Sequence, residues 1–150
     1  GDLEIHPFQV SHDTADPVGF VISDGDAALC YCTDTGQVTR LIGHHVRKCR
    51  ALILEANHDS QMLMDGPYPL PLKQRVRSKQ GHLANGDAAR FLAGFVDSSL
   101  QYVVLAHLSE TNNLPEVALA RVREELQAVH FDFEILLADQ KEPTDFFSLG

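Results

Sequence analysis

The sequence predicts a single α/β domain in which helices cover one face of a mixed sheet. Short apolar runs alternate with segments of helical periodicity, in the order β-β-β-α-β-α-β-α-β. The chain has 150 residues, of which 44% are hydrophobic and 22% charged, which is typical of one globular domain. Apolar runs stay well below the ~20 residues of a membrane span. We therefore expect a cytoplasmic protein without membrane contact.

The first third of the chain is predicted to form three antiparallel strands. Residues 3–10 alternate between apolar and polar side chains, as in a strand with one buried face. Residues 17–23 and 27–33 are also apolar, and they flank Asp24-Gly25-Asp26, a composition typical of a hairpin turn. The three segments should therefore be neighbours in the sheet.

The middle of the chain changes to helical spacing. Residues 38–50 predict a helix, and the continuous apolar run at residues 51–55 predicts a buried strand. A proline-rich loop precedes a short basic helix near residues 72–79. Asn85 is then predicted to cap a helix that ends near Ser98.

The last third of the chain predicts two further strands and a helix between them. Residues 101–106 form another apolar run, and Pro115 suits the first turn of a helix that continues to about residue 129. Residues 131–137 are rich in aromatic and branched side chains, which predicts a final strand before a polar tail.

The cysteines do not indicate a metal or disulfide site. Cys30, Cys32 and Cys49 are odd in number, and the spacing of the first two fits neither a zinc knuckle nor a redox pair. We interpret all three as reduced thiols of the core.

The charge of the chain is unevenly distributed. The formal net charge is −9, yet residues 40–79 contain eight of the 12 basic residues and only three acidic ones. A basic stripe on an acidic body is suited to holding a phosphodiester backbone near a reactive site. The alternative interpretation of the same stripe is a solvated helix face.

Three residues of metal-ligand type each follow an apolar run. They are His12, Asp34 and His107, and strand ends hold such ligands rigidly while the loops stay open to substrate. Asp13 could orient the ring of His12. Each residue also has a structural interpretation: His12 on the surface or beside a helix cap, Asp34 in an Asx-turn, and His107 bonded to a backbone carbonyl.

Two further polar clusters are candidates for a site. Residues 55–59 place several polar side chains at the end of a buried strand, and His82 follows a glycine just before a helix N-terminus. His82 is a candidate proton donor or phosphate contact, with capping or plain exposure as the alternative. His44 and His45 are adjacent on a predicted helix and point apart, so we do not interpret them as a ligand pair.

Five motifs occur in a fixed order: SHD-x-x-x-PVGF, TDTG, LEANHD, GHLAN and LAHLS-x-x-NN. Together they resemble the C-terminal half of the metallo-β-lactamase superfamily, in particular its YycJ/WalJ-like branch, which is similar to ribonuclease Z. The resemblance implies an αββα sandwich, of which residues 1–150 are mainly the C-terminal βα half. The H-x-H-x-D-H cluster of the N-terminal half has no counterpart in this sequence.

The resemblance also implies roles for single residues. His12, Asp34 and His107 match metal ligands, with Asp34 bridging two divalent ions, Zn²⁺ or Mn²⁺. His82 matches a catalytic histidine near the scissile phosphate. Candidate substrate-binding residues lie in the same motifs: Glu55, Asn57, His58, Asn85, Ser109 and Asn112.

The expected function is a metal-dependent hydrolase, specifically an exonuclease-like phosphodiesterase that acts on DNA. Because half of the ligands are absent from the sequence, we expect this chain alone to be inactive and to hold little or no metal. It should form a homodimer or be completed by the missing half. The alternatives are a non-catalytic scaffold or interaction module, and a hydrolase of a small thioester or phosphoester.

Overall fold

The computed structural model describes residues 2–95, 99–127 and 129–149, which contain one six-stranded sheet and five helices. The strands lie side by side in the same order as in the chain. In chain order the elements are β1 (Glu4–Gln9), β2 (Val18–Ser23), β3 (Ala28–Cys32), α1 (Arg40–Val46), β4 (Ala51–Glu55), α2 (Ser60–Asp65), α3 (Leu70–Val76), α4 (Asn85–Ala93), β5 (Tyr102–Ala106), α5 (Pro115–Leu126) and β6 (Glu134–Leu137).

The first three strands form the predicted antiparallel meander. In the register, Phe20 of β2 lies between Pro7 of β1 and Tyr31 of β3. The turn between β2 and β3 is closed by the Asp24 carboxylate, which accepts the backbone N–H groups two and three residues ahead at 3.0 and 2.9 Å. Gly25 provides the left-handed backbone of this turn with a φ of 100°.

The second half of the sheet is parallel. Strands β3, β4, β5 and β6 run in one direction, and β1 shares it because β2 is antiparallel to both β1 and β3. The carboxyl ends of β1, β3, β4 and β5 therefore meet at one edge of the sheet. In open α/β sheets this is the edge where ligands bind.

One face of the sheet is packed against the helices, as the sequence predicts. Its side chains are fully buried in β3, β4 and β5, and they belong to the same apolar cluster as residues of α1, α4 and α5. The central members are Cys30, Leu52, Leu54, Val103 and Leu105 from the sheet, and Ile42, Val46, Leu92, Val122 and Leu126 from the helices.

The opposite face of the sheet carries no helix in the described part of the chain. It is nevertheless apolar: Tyr31 is 40% exposed, and Ile53 and Leu136 are only partly covered. The C-terminal segment lies over one part of this face, where Phe147 stacks on Tyr102 with 4.6 Å between ring centroids. We call the remainder of this surface the open sheet face.

Two features of the helices differ from the sequence prediction. The prediction that Asn85 caps α4 is wrong, because Ala84 is the N-cap and the Asn85 side chain is buried. Helix α2 was not predicted; Asp59 caps it by accepting the N–H groups of Gln61 and Met62. The predicted end of α4 near Ser98 lies outside the described residues.

The three cysteines lie in the core, as the sequence predicts. Cys30, Cys32 and Cys49 are buried free thiols, and burial raises the pKa of Cys32 to about 12. The longest helix, α5, has 12 residues, and in the part of the chain that the structure describes we find no helix suited to cross a bilayer.

The core makes a direct prediction for stability. Leu54→Ala removes a fully buried side chain, so the free energy of unfolding should fall by about 2–5 kcal/mol. The matched control is Leu41→Ala on α1, where the leucine is 47% exposed and the loss should stay below about 1 kcal/mol. Urea unfolding followed by circular dichroism measures both, and equal losses would contradict the assigned core.

Candidate metal centre

Polar side chains from five parts of the chain meet at the carboxyl edge of the sheet. Asp34 and His107 come shortly after β3 and β5, and Glu55 is the last residue of β4. His12 follows β1, and His82 lies in the loop that enters α4. The sequence separates these residues by up to 95 positions, but the parallel strand ends bring them together.

The carboxylate of Asp34 lies among three of these histidines. Its Oδ1 atom is 3.7 Å from His12 Nε2, 4.0 Å from His82 Nδ1 and 3.8 Å from His107 Nδ1. The Asx-turn interpretation is not supported, since the carboxylate accepts from the Thr33 hydroxyl at 3.4 Å and no following backbone N–H is its donor among the described residues. The structure thus places the three predicted metal ligands around one point.

Two of these residues have an unusual backbone. Asp34 and His107 have φ values of 54° and 57°, in the left-handed region that costs an L-residue roughly 1–2 kcal/mol. Such strain persists only where the surrounding structure holds it. In both residues it turns the chain sharply at the end of a parallel strand, which directs the side chain back over the edge of the sheet.

Glu55 lies beneath the histidines and is completely buried. Its Oε1 atom accepts from Nδ1 of His82 at 2.7 Å and from Nδ1 of His107 at 2.8 Å. Its Oε2 atom accepts the backbone N–H of Thr35 at 2.8 Å. A buried carboxylate needs such partners to offset the loss of water. Glu55 therefore fixes the orientation of two rings and ties the loop after β3 to the end of β4.

The charges of this cluster depend on each other. Burial acts to raise the pKa of Glu55, but the hydrogen bonds from His107, His82 and Thr35 outweigh it and hold that pKa below its ordinary value. The hydrogen bond to Glu55 in turn raises the pKa of His107, against the effect of burial. An ionised Glu55 thus favours histidines that donate from Nδ1, and leaves their Nε2 atoms free.

His12 is oriented differently from the sequence prediction. Its Nδ1 atom lies 3.0 Å from the carbonyl oxygen of Gly81, which can only accept, so Nδ1 donates to Gly81 and Nε2 faces Asp34. The prediction that Asp13 orients this ring is wrong, because Gly81 accepts from the ring and Asp13 stays 3.9 Å from Nε2. Asp13 instead accepts two hydrogen bonds from Arg75, which hold its pKa at about 2.

The donor set fits a divalent metal ion. Two groups of possible ligands have mutually close donor atoms: His12, Asp34 and His82, and Glu55, His82 and His107. Metal–ligand bonds of about 2.0–2.2 Å place two ligands of one ion roughly 3–4 Å apart, as His12 Nε2 and Asp34 Oδ1 are at 3.7 Å. The contacts of Glu55 at 2.7–2.8 Å are instead ordinary hydrogen bonds, so Glu55 supports the ligands rather than binding an ion.

A network of buried asparagines holds the loop that carries His107. Asn57 donates to the carbonyl oxygen of His107 at 2.8 Å. Asn113 donates to the carbonyl oxygens of Ala56 and Asn57, and it exchanges two hydrogen bonds with Asn85 at 2.8 and 2.9 Å. These bonds connect the ends of β4 and β5 with the start of α4, and they support the left-handed backbone of His107.

The predicted substrate-binding residues occupy two different levels. Asn57, Ser109 and Asn112 line a cleft of about 290 Å³ beside His82 and His107. Glu55, His58 and Asn85 do not line this cleft and are at most 2% exposed, and burial lowers the pKa of His58. His44 and His45 do not point fully apart, because their ring centroids lie 5.9 Å from each other, and His45 also stacks on Phe8 with 4.7 Å between ring centroids.

Sequence reasoning missed Asn113 and Gly81, and it assigned Glu55 to substrate contact rather than to support of the histidines. The side chain of Asn113 takes part in five hydrogen bonds, and its signal was a pair of asparagines directly before a helix. The supporting role of Glu55 also had a signal, because a carboxylate at the end of an apolar strand requires buried donors. The role of the Gly81 carbonyl had no signal in the sequence, because a backbone atom is the same in every residue.

Comparison with known proteins places the chain in a family. The family model described as "Beta-lactamase superfamily domain" matches residues 1–108. The chain is 37% identical over 148 residues to a protein named exodeoxyribonuclease YycJ from Bacillus anthracis. This match covers 96% of this chain and 56% of that protein. It is 35% identical over 139 residues to exodeoxyribonuclease WalJ from Streptococcus pneumoniae D39. That match covers 90% of this chain and 52% of the relative. This chain therefore belongs to the β-lactamase superfamily.

Solved structures agree on the fold. The metallo-β-lactamase fold protein YhfI from Bacillus subtilis has a TM-score of 0.65 at 18% identity, covering 92% of this chain and 47% of that one. Zinc-bound PqqB from Methylobacterium extorquens has a TM-score of 0.65 at 19% identity, covering 97% and 51%. The chain spans about half the length of the curated relatives it matches.

The link between Glu55 and His107 predicts a pH effect. Because the pKa of His107 is raised above its ordinary 6.5, the stabilisation it provides is full below pH 6.5 and is lost as the pH rises through the folded-state pKa. Glu55→Gln removes the charge, so the pKa of His107 should fall and this pH dependence should shrink. NMR titration of the chain in EDTA measures it, with Asp26→Asn in the exposed hairpin as control. An unchanged His107 titration in Glu55→Gln would contradict the assigned contact.

Proposed function

We propose that this chain is the C-terminal half of a metal-dependent nuclease that hydrolyses phosphodiester bonds of DNA. The observation that carries the proposal is the cluster of His12, Asp34, His82 and His107 at one edge of the sheet. Family membership supports a divalent metal, and the names of the two relatives support DNA as substrate. The proposal includes a preceding segment with the H-x-H-x-D-H ligands, and we call the two together the longer polypeptide.

In this proposal three residues of the chain hold metal. His12, Asp34 and His107 would hold the metal, His12 through Nε2 and His107 through the nitrogen that Glu55 leaves free. Two divalent ions, Zn²⁺ or Mn²⁺, would supply an activated water and neutralise charge on the phosphoryl oxygens. Three ligands do not complete two coordination shells, so the chain alone should hold little metal and be inactive.

His82 has the properties of a proton donor to the leaving oxygen. Glu55 accepts from its Nδ1 atom at 2.7 Å, which fixes the orientation of the ring, and Nε2 is the nitrogen we assign to the leaving oxygen. Asn57, Ser109 and Asn112 line the cleft next to this ring and are the groups we assign to substrate contact. Glu55, His58 and Asn85 act from beneath, by holding rings and loops rather than by touching the substrate.

The open sheet face indicates that the isolated chain forms pairs. An apolar sheet face in contact with water is unfavourable, and proteins cover such surfaces by pairing. We propose that the preceding segment covers this face in the longer polypeptide, and that two copies of the isolated chain cover it for each other. The cytoplasmic location is part of the proposal, consistent with three free thiols.

Metal dependence is the direct test of the function. The longer polypeptide should degrade labelled DNA, EDTA should abolish the activity, and Asp34→Asn should reduce it by at least about 100-fold with loss of bound metal. Asp26→Asn, an exposed carboxylate of the hairpin turn, is the matched control and should retain full activity. Undiminished cleavage in EDTA would exclude the metal mechanism.

Light scattering tests the pairing of the isolated chain. We expect a mass of two chains or more, because the open sheet face is apolar and uncovered among the described residues. Tyr31→Lys should weaken the assembly by placing a charge on this face, whereas Leu41→Lys on α1 should not. A monodisperse monomer of 16.6 kDa would refute this part of the proposal.

A further inference from the structure

A second cavity lies next to the candidate metal centre. It has a volume of about 440 Å³ and is bounded by the loop after β3, the loop between α3 and α4, and α4 itself. Gly36 and Leu83 line it, and these residues lie two positions after Asp34 and one after His82. We call it the cationic cavity, because Arg77, Lys79 and Arg90 also line it.

Two of these cations lack a compensating charge. Arg90 is paired with Asp87, which also lines the cavity. Arg77 contacts only the thioether of Met64, at 3.7 Å, and within the described ranges neither Arg77 nor Lys79 has a carboxylate within 4 Å. Both side chains are exposed. The wall of the cavity therefore carries two unpaired positive charges in a chain whose net charge is −9.

The loop that carries Lys79 is held firmly against the candidate metal centre. The carbonyl oxygens of Gln80 and Gly81 accept from Asp13 N and from the ring of His12, each at 3.0 Å. Gly36 packs so closely that a Cβ atom there would lie 2.5 Å from the carbonyl carbon of Lys79. The position of Lys79 is thus coupled to that of His12.

Most other basic residues of the stripe predicted from sequence are used elsewhere. Arg75 is paired with Asp13, Arg47 lies over the ring of Phe95 at 5.0 Å, and Arg50 donates to the carbonyl of Leu149. Lys73 donates to the carbonyl of Met64. Arg77 and Lys79 are therefore the members of the stripe that lie beside the site and are free to bind an anion.

We propose that the cationic cavity binds the phosphodiester backbone of a single DNA strand whose cleaved bond lies at the metal centre. This inference rests on the proposed nuclease function and adds a specific contact to it. Two unpaired cations near each other are suited to consecutive phosphates. Phe91 forms part of the apolar wall, and an aromatic ring beside a cationic groove accepts an unstacked base, which a single strand offers and a duplex does not.

The test uses the longer polypeptide in EDTA, so that binding is measured without cleavage. A fluorescent thymidine oligonucleotide is titrated at several salt concentrations, with wild type and with Arg77→Ala/Lys79→Ala. Loss of two phosphate contacts should weaken binding and reduce the slope of log K against log salt by about 1.4. Lys48→Ala/Arg123→Ala removes the same charge from the loop after α1 and from α5, and it should leave the slope unchanged. Circular dichroism checks that all variants are folded.

The outcomes separate the two proposals. If wild type cleaves DNA with metal but both double variants show the wild-type slope, the cationic cavity is not a phosphate site and the nuclease proposal stands. If wild type neither binds nor cleaves DNA, the nuclease proposal fails and this inference fails with it. The same measurement is made with a duplex of the same length. If Arg77→Ala/Lys79→Ala reduces the slope of log K against log salt for the duplex as much as for the single strand, the assignment to a single strand is wrong.

Discussion

The buried carboxylate of Glu55 is the interaction on which the candidate site depends. It accepts hydrogen bonds from His82, His107 and the backbone of Thr35, which belong to three separate loops. Without these donors a charge at 0% exposure would be prohibitively unfavourable, so the carboxylate and its partners must form together. The same bonds determine which ring nitrogens remain available for chemistry. Packing and reactivity therefore depend on one side chain.

The sheet explains why these loops meet at all. Four strands that run in the same direction end at one edge, and the turns after β3 and β5 are sharpened by left-handed residues, Asp34 and His107. The asparagine network then holds the loop after β5 through backbone carbonyls. Strain at both positions is offset by hydrogen bonds that the rest of the fold provides. This arrangement is stiff, as a site must be if its ligands are to be held before metal or substrate arrives.

Much of this could be predicted from the sequence, for identifiable reasons. The apolar continuity of residues 51–55 and the turn at Gly25 are local signals, and both elements formed as expected. The cap of α4 could not be predicted, because Asn85 is recruited by Asn113, 28 residues away. The partner of His12 is a backbone carbonyl, which no side-chain pattern reveals. Local rules thus placed the elements, whereas long-range hydrogen bonds decided the orientation of the site.

The most direct measurement of the central claim is the tautomeric state of the two histidines that share Glu55. Nitrogen-15 NMR of the chain in EDTA at alkaline pH distinguishes a proton on Nδ1 from one on Nε2. Donation to Glu55 predicts that His82 and His107 both carry the proton on Nδ1, with Nε2 free. Protons on Nε2 in both rings would contradict the role assigned to Glu55, and with it the proposed assignment of ligand and proton donor.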